Sequence, residues 1–129
     1  MAALKFAPSH EWIRIEESPA AGLVATIGIS SYAVEALTDL VFMQLPQVGR
    51  RVKAGESFGE IESVKAVSDL YAPVGGEIVE VNTALPGSLD TLASDPYGKG
   101  WVAKLRIDDP KELDKLLDQS AYDASVGRK

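Results

Sequence analysis

The sequence predicts a mainly β protein, a β-sandwich or flattened barrel, with a short internal helix and a C-terminal helix. Three observations carry that expectation. Short β-prone apolar runs recur along most of the chain, Gly and Pro separate them, and a capped helical stripe appears only after the last run. With 129 residues, 46% hydrophobic and 25% charged, the chain has the length and balance of one globular domain. No linker divides it, so residues 1–129 are expected to form a single domain. Its core spans about 10–107, a helix covers about 110–118, and a frayed tail runs over 119–129.

Trp12–Ile15 opens the series of strands. Leu23–Ile29 and Leu40–Leu45 are nearly continuous apolar runs, the pattern of strands buried on both faces. Phe58–Ser63, Ser68–Ala72 and Glu77–Val81 follow, separated by turn residues. In Trp101–Ile107 the alternation is clean: Trp101, Ala103, Leu105 and Ile107 share one face, Lys104 and Arg106 the other. Ser30 or Ser31 caps a short helix through about Leu37. At the C-terminal helix Asp109 is the N-cap, Pro110 the first helical residue and Glu112 the third, and Leu113, Leu116 and Leu117 form its apolar stripe. Trp12, Tyr32 and Trp101 are expected in the core, and His10 is expected to pack or hydrogen-bond locally.

Composition excludes several functions. A net charge of −6 repels phosphate backbones, so nucleic acid is not an expected partner; it suits docking on basic protein surfaces, where charge mostly sets encounter rate. The absence of cysteine rules out disulfides, thiolate metal sites and a cysteine nucleophile. The apolar stretches are too short to span a bilayer, and Met1–Phe6 has neither the apolar core of a signal peptide nor the Arg-rich length of a transit peptide. The expectation is a soluble, monomeric protein of a bacterial cytoplasm, or of the mitochondrial matrix if the chain is a processed eukaryotic one. One histidine, His10, supports no Ser-His-Asp set, no spacing suits a metal, and no Gly-rich loop matches a nucleotide fingerprint. Glu60 and Glu62 share a strand face and read as a solvated edge. No catalytic and no metal-binding residue is assigned, and the chain is not expected to be an enzyme.

Lys65 stands apart. Gly55–Gly59 leads through Glu60-Ile61-Glu62 to Ser63-Val64-Lys65-Ala66-Val67-Ser68, and the chain leaves through Asp69–Ala72 to Pro73-Val74-Gly75-Gly76. Two runs of similar length flank one lysine, as in a hairpin with Lys65 at or near its tip. The tip lacks Asn-Gly or Asp-Gly, so its turn must accept ordinary residues, as type I does. A surface lysine in a turn is the plain reading of Lys65, and nothing around it marks a Schiff-base lysine. An exposed tip is also where an enzyme can recognise and acylate an amine.

The stretch Gly59–Asp69 resembles the lipoylation motif of the glycine cleavage H-proteins, with the lysine in register. Further blocks are similar in the same order: Ser9-His10-Glu11-Trp12, Gly28-Ile29-Ser30, Leu45-Pro46-x-Val48-Gly49, Ala72-Pro73 through Gly76-Glu77, Val81-Asn82, and Asp95-Pro96-Tyr97-Gly98-Lys99-Gly100-Trp101. Thr38 departs from a common Gly after the first helix, and Leu89 and Ala93 replace a Pro and an Asn before Asp95.

The resemblance implies a biotinyl/lipoyl-like barrel-sandwich hybrid and a lipoate amide-linked to Lys65, within the motif flank Glu62, Ser63, Val64, Ala66, Ser68 and Asp69. Lysine plus lipoate would reach on the order of 12–15 Å from the backbone. It also implies a carrier cycle. The arm takes an aminomethyl group from the pyridoxal-phosphate glycine decarboxylase (P-protein) and yields it to the tetrahydrofolate-dependent aminomethyltransferase (T-protein). Dihydrolipoamide dehydrogenase (L-protein) reoxidises it, and a lipoate ligase or octanoyltransferase installs it. Glu11, Asp69 and Ser9 match positions associated with docking the loaded arm, although Glu11 also reads as a solvated strand start and Asp69 as a hairpin flank. Glu62 is open to ligase recognition or simple edge solubility. The alternatives are a lipoyl domain of a 2-oxoacid dehydrogenase acyltransferase, which usually has Asp where Val64 stands, a biotin carrier, whose lysine is flanked by Met, and a lipoyl-relay protein. A hydrolase or transferase remains only if Lys65 is incidental.

Overall fold

The computed structural model describes residues 4–7, 9–18, 22–37 and 39–126. Ten strands and three α-helices follow one another among them: β1 (Leu4–Phe6), β2 (Glu11–Ser18), β3 (Gly22–Ile29), α1 (Ser31–Leu37), β4 (Leu40–Gln44), β5 (Arg51–Val52), β6 (Ser57–Ser63), β7 (Val67–Tyr71), β8 (Gly76–Val81), α2 (Asp90–Ser94), β9 (Ala103–Ile107), β10 (Leu117–Asp118) and α3 (Gln119–Ser125). They form a seven-stranded sheet, in the order β10-β1-β2-β3-β9-β8-β5, and a three-stranded sheet, β4-β6-β7. The pairings are antiparallel, so the mainly β class stands.

The two sheets share one apolar core. Ile13, Ala25, Ile27, Ile78 and Leu105 of the large sheet are in one cluster with Met43, Ile61 and Leu70 of the small one. In β9 only Ala103, Leu105 and Ile107 point inward, as their alternation dictates. From Val24 to Ile29, β3 is buried at every residue, as its continuous apolar run requires. Trp12 stands opposite Gly28, and a Cβ on Gly28 would lie 2.6 Å from the indole ring; only glycine leaves room for that ring.

Other expectations need correcting. The run from Leu40 is not covered on both sides: β4 is an edge strand, Met43 faces the core, and Val41 and Phe42 are about half exposed. The three-stranded sheet is covered on one face only, so its outward row keeps apolar residues in contact with water. Trp101 precedes β9 and is partly exposed, with Lys104 Nζ over its ring at 5.5 Å. Tyr32 is likewise half-buried.

The C-terminal segment differs most. Asp109 does cap, accepting from the Lys111 N–H at 3.0 Å, but the turn that follows is a 3-10 helix over Pro110–Lys115. The Glu112 side chain turns away from the cap and accepts from the Gly75 N–H instead. Leu116 is extended, and Leu117–Asp118 pairs with β1, which ends the helix expected over 110–118. Asp118 then caps α3 through the Ala121 N–H, so 119–125 is helical where a frayed tail was expected. Tyr122 anchors α3 in a second apolar cluster with Phe6 and Trp12. Thr38 lies outside the described residues; its neighbour Asp39 takes the left-handed conformation there, at φ 44°. Leu89 packs on the core and Ala93 lies exposed in α2, so that segment is helical.

Candidate functional site

The β6–β7 hairpin places Lys65 in the open. Its last ladder pair is Glu62 with Val67. Ser63 then closes the turn, its N–H donating to the Ala66 carbonyl at 2.8 Å. The Ser63 hydroxyl accepts from the Lys65 N–H at 3.3 Å and the Ala66 N–H at 3.1 Å. A serine hydroxyl thus supplies the turn chemistry that Asn-Gly would otherwise provide. The Val64 N–H donates to the Asp39 carbonyl, tying the tip to the start of β4. Val64, Lys65, Ala66 and Val67 are all exposed. On the outward face Phe42, Glu62 and Val67 stand in one cross-strand row, with Gln44, Glu60 and Asp69 in the next.

A cleft of about 340 Å³ opens beside the hairpin, between β7, α1 and the start of β2. Ser68, Asp69 and Leu70 of β7 line one side; Tyr32, Ala33, Ala36 and Leu37 of α1 line the other; Ser9, His10 and Glu11 close one end. Ser9, Glu11 and Asp69, which sequence resemblance singles out, therefore converge on one cavity. Asp69 is exposed at its rim, whereas Glu11 is 3% exposed and not the solvated strand start it resembles in sequence.

Glu11 Oε2 accepts from the Tyr71 N–H at 3.0 Å on the strand edge of β7, and Oε1 accepts from the Ser9 hydroxyl. No cation of the described residues pairs with it. Burial therefore dominates and pushes its carboxyl up to about 7, against the lowering effect of the Ser9 and Tyr71 hydrogen bonds. Burial also lowers the pKa of His10, whose φ is 83° and whose ring tilts against Tyr32 at 5.1 Å.

Sequence reasoning missed three residues here. Tyr122 reaches His10 and Ser30 from the far end of the chain. Tyr97 accepts from the Ser31 N–H at 3.0 Å, beside the Ser30 hydroxyl that caps α1 through the Ala33 N–H. Tyr32, expected in the core, forms part of the cleft wall. Only spatial proximity reveals the first two; an Asp118 cap followed by Tyr122 was the available signal for α3.

Among the described residues no group of three or more His, Asp or Glu could hold a metal ion. No helix of the described residues is long and apolar enough to cross a membrane.

A β-rich fold that presents a lysine on a hairpin beside a cleft with an acidic end suits a protein that carries a group on that lysine, and its relatives make the class a non-catalytic carrier of the lipoyl type. Residues 4–129 match the family model described as the glycine cleavage H-protein, and the chain belongs to that family. It is 52% identical over 123 residues to the glycine cleavage system H protein of Phenylobacterium zucineum, covering 95% of this chain and 98% of that one. It is 52% identical over 126 residues to glycine cleavage system H protein 2 of Pseudomonas putida, covering 98% and 95%. The crystal structure of a glycine cleavage system H protein from Mycobacterium marinum superposes with a TM-score of 0.86 at 47% identity, covering 98% of both chains. Members of this family carry lipoyl-lysine and work with the components of the glycine cleavage system.

Proposed function

We propose that Lys65 bears the lipoyl group in amide linkage, and that the chain shuttles the aminomethyl group of glycine between the enzymes of the glycine cleavage system. The observation that carries this reading is the placement of Lys65, an exposed amine on the hairpin whose outgoing strand also lines the cleft. Asp69 lies four residues further along, at most about 13 Å away were the chain between them fully extended. An arm on the order of 12–15 Å reaches that far. The cleft's composition fits such an arm: Ile29, Ala33, Leu37 and Ile61 are apolar, and the Glu11 end is acidic.

When bound, the lipoyl group would supply a disulfide as the two-electron acceptor of the aminomethyl group, left as a dithiol that dihydrolipoamide dehydrogenase reoxidises. The chain's own residues do the rest. Glu11 receives a protonated amine and is relieved of an unpaired buried charge when it does so. Asp69 adds a second negative charge at the rim, and Ser9 orients Glu11 through its hydroxyl. The apolar wall keeps water from the docked amine.

The partners in this reading are glycine decarboxylase, the tetrahydrofolate-dependent aminomethyltransferase and dihydrolipoamide dehydrogenase, with a lipoate ligase or octanoyltransferase acting on the bare tip. Ser63 shapes the turn these enzymes meet, between Val64 and Ala66, and Glu62 gives its flank a charge. The chain acts as a single-domain monomer in a bacterial cytoplasm, in keeping with its bacterial relatives. The test is Lys65→Arg, which keeps the charge of the exposed tip. The variant should fold, stay unmodified and fail to support glycine decarboxylation; full activity would overturn the reading.

A further inference from the structure

We propose that Tyr122 is a positioning residue, through which the C-terminal helix α3 ties the Glu11 end of the cleft to its α1 side and so sets how firmly the cleft retains a docked amine. This rests on the reading of the cleft given above. The Tyr122 ring is buried and stacks on Phe6, with centroids 4.3 Å apart and planes 8° from parallel. Its hydroxyl lies 2.7 Å from His10 Nδ1 and 2.6 Å from Ser30 Oγ. His10 belongs to the closed end of the cleft, and Ser30 leads into the α1 side. His10 sits between Ser9 and Glu11 in a left-handed conformation that a non-glycine residue keeps only when its surroundings hold it. Ser30 precedes α1, and its hydroxyl accepts from the Ala33 N–H at 3.2 Å. Ala33 and His10 both line the cleft.

One phenolic oxygen therefore links the turn that aims Glu11 to the helix that roofs the cavity. The Ser30 N–H also donates to the His10 carbonyl at 2.9 Å, so the end of the cleft and the start of its α1 side meet at the place where Tyr122 reaches them. Removing the hydroxyl leaves the stacked ring in place but strips one partner from His10 and one from Ser30. Loss of a hydrogen-bond link of this kind corresponds to about a tenfold change in an equilibrium.

The experiment compares Tyr122→Phe and Glu11→Gln with the unaltered chain, in two measurements. In the lipoyl-free protein, NMR should show the His10 ring and the Ser30 and Ala33 amides shifting in Tyr122→Phe while the Lys65 and Ala66 amides stay in place. In the lipoylated chain charged from glycine, well below the unfolding temperature, Tyr122→Phe should release the aminomethyl group about tenfold faster. Normal release in Tyr122→Phe with accelerated release in Glu11→Gln overturns the role of Tyr122 and leaves the cleft reading standing. Normal release in both variants overturns the cleft reading and the proposal with it. Shifts confined to α3, with His10 and Ala33 unmoved, also overturn it.

Discussion

Replacing Glu11 by Gln should stabilise the lipoyl-free protein, and only above the pH at which an ordinary carboxyl ionises. Unfolded, Glu11 titrates near 4.5; folded, burial holds its proton to about pH 7. Between those values the folded state binds the extra proton, so this group's contribution to stability is full below about 4.5 and is lost as pH rises through about 7. At about 1.4 kcal/mol per pKa unit, the difference amounts to roughly 3.5 kcal/mol at most, and relaxation around the charge would reduce it to about 1–3 kcal/mol. Gln keeps an oxygen for the Tyr71 N–H and carries no charge. Urea unfolding of both proteins from pH 4 to 8.5 measures the effect. Near pH 4.5 the midpoints should almost coincide; by pH 8 the Gln variant should unfold on the order of 1–2 M later. A gap independent of pH, or a wild type that gains on the variant as pH rises, would refute the buried, unpaired carboxylate.

Asp69→Asn removes the rim charge and should speed loss of the aminomethyl group from the charged chain several-fold, read as ammonia or formaldehyde released after the decarboxylase is withdrawn; an unchanged rate removes Asp69 from the docking site. Ser63→Ala takes away the acceptor shared by the Lys65 and Ala66 N–H groups. It should cost about 1 kcal/mol in the turn and slow lipoyl attachment, seen as faster amide exchange at those two positions and a lower initial rate of incorporation. Gly76→Ala would put a Cβ 2.1 Å from the Arg106 carbonyl oxygen, backbone against backbone between β8 and β9. It should destabilise the chain by about 2–4 kcal/mol in denaturant titration, and a neutral result would contradict the β8–β9 register.

Elements whose pattern is local were legible in the sequence. The alternation of β9 specifies which of its residues face inward, and the run of β3 reports burial on both sides, because strand period and burial act residue by residue. The hairpin around Lys65 was legible as two runs and a break, although the Ser63 turn has no strong local signal. What escaped was decided by distant partners. β10 is a two-residue strand that exists because it pairs with β1 across the length of the chain, and β1 in turn lies against β2. That pairing also ends the turn at Pro110–Lys115 and starts α3, where a leucine stripe alone suggested a longer helix. Glu11 looks solvated in sequence; it is buried at the start of β2, where its carboxyl accepts from the Tyr71 N–H sixty residues away. Phe42 misled in the opposite sense, since a continuous apolar run does not say whether its sheet is covered on both faces.

The central claim is that one lysine bears the arm, and the most direct test is the mass of the peptides around it after expression with lipoate and a lipoylating enzyme. Trypsin cleaves after Lys53, Lys65 and Lys99. The account predicts that cleavage at Lys65 is lost and that a single peptide, residues 54–99, appears with one lipoyl-sized adduct that fragmentation places on Lys65. A lipoylated protein that still yields an unmodified peptide ending at Lys65, with the adduct on another lysine, would contradict it.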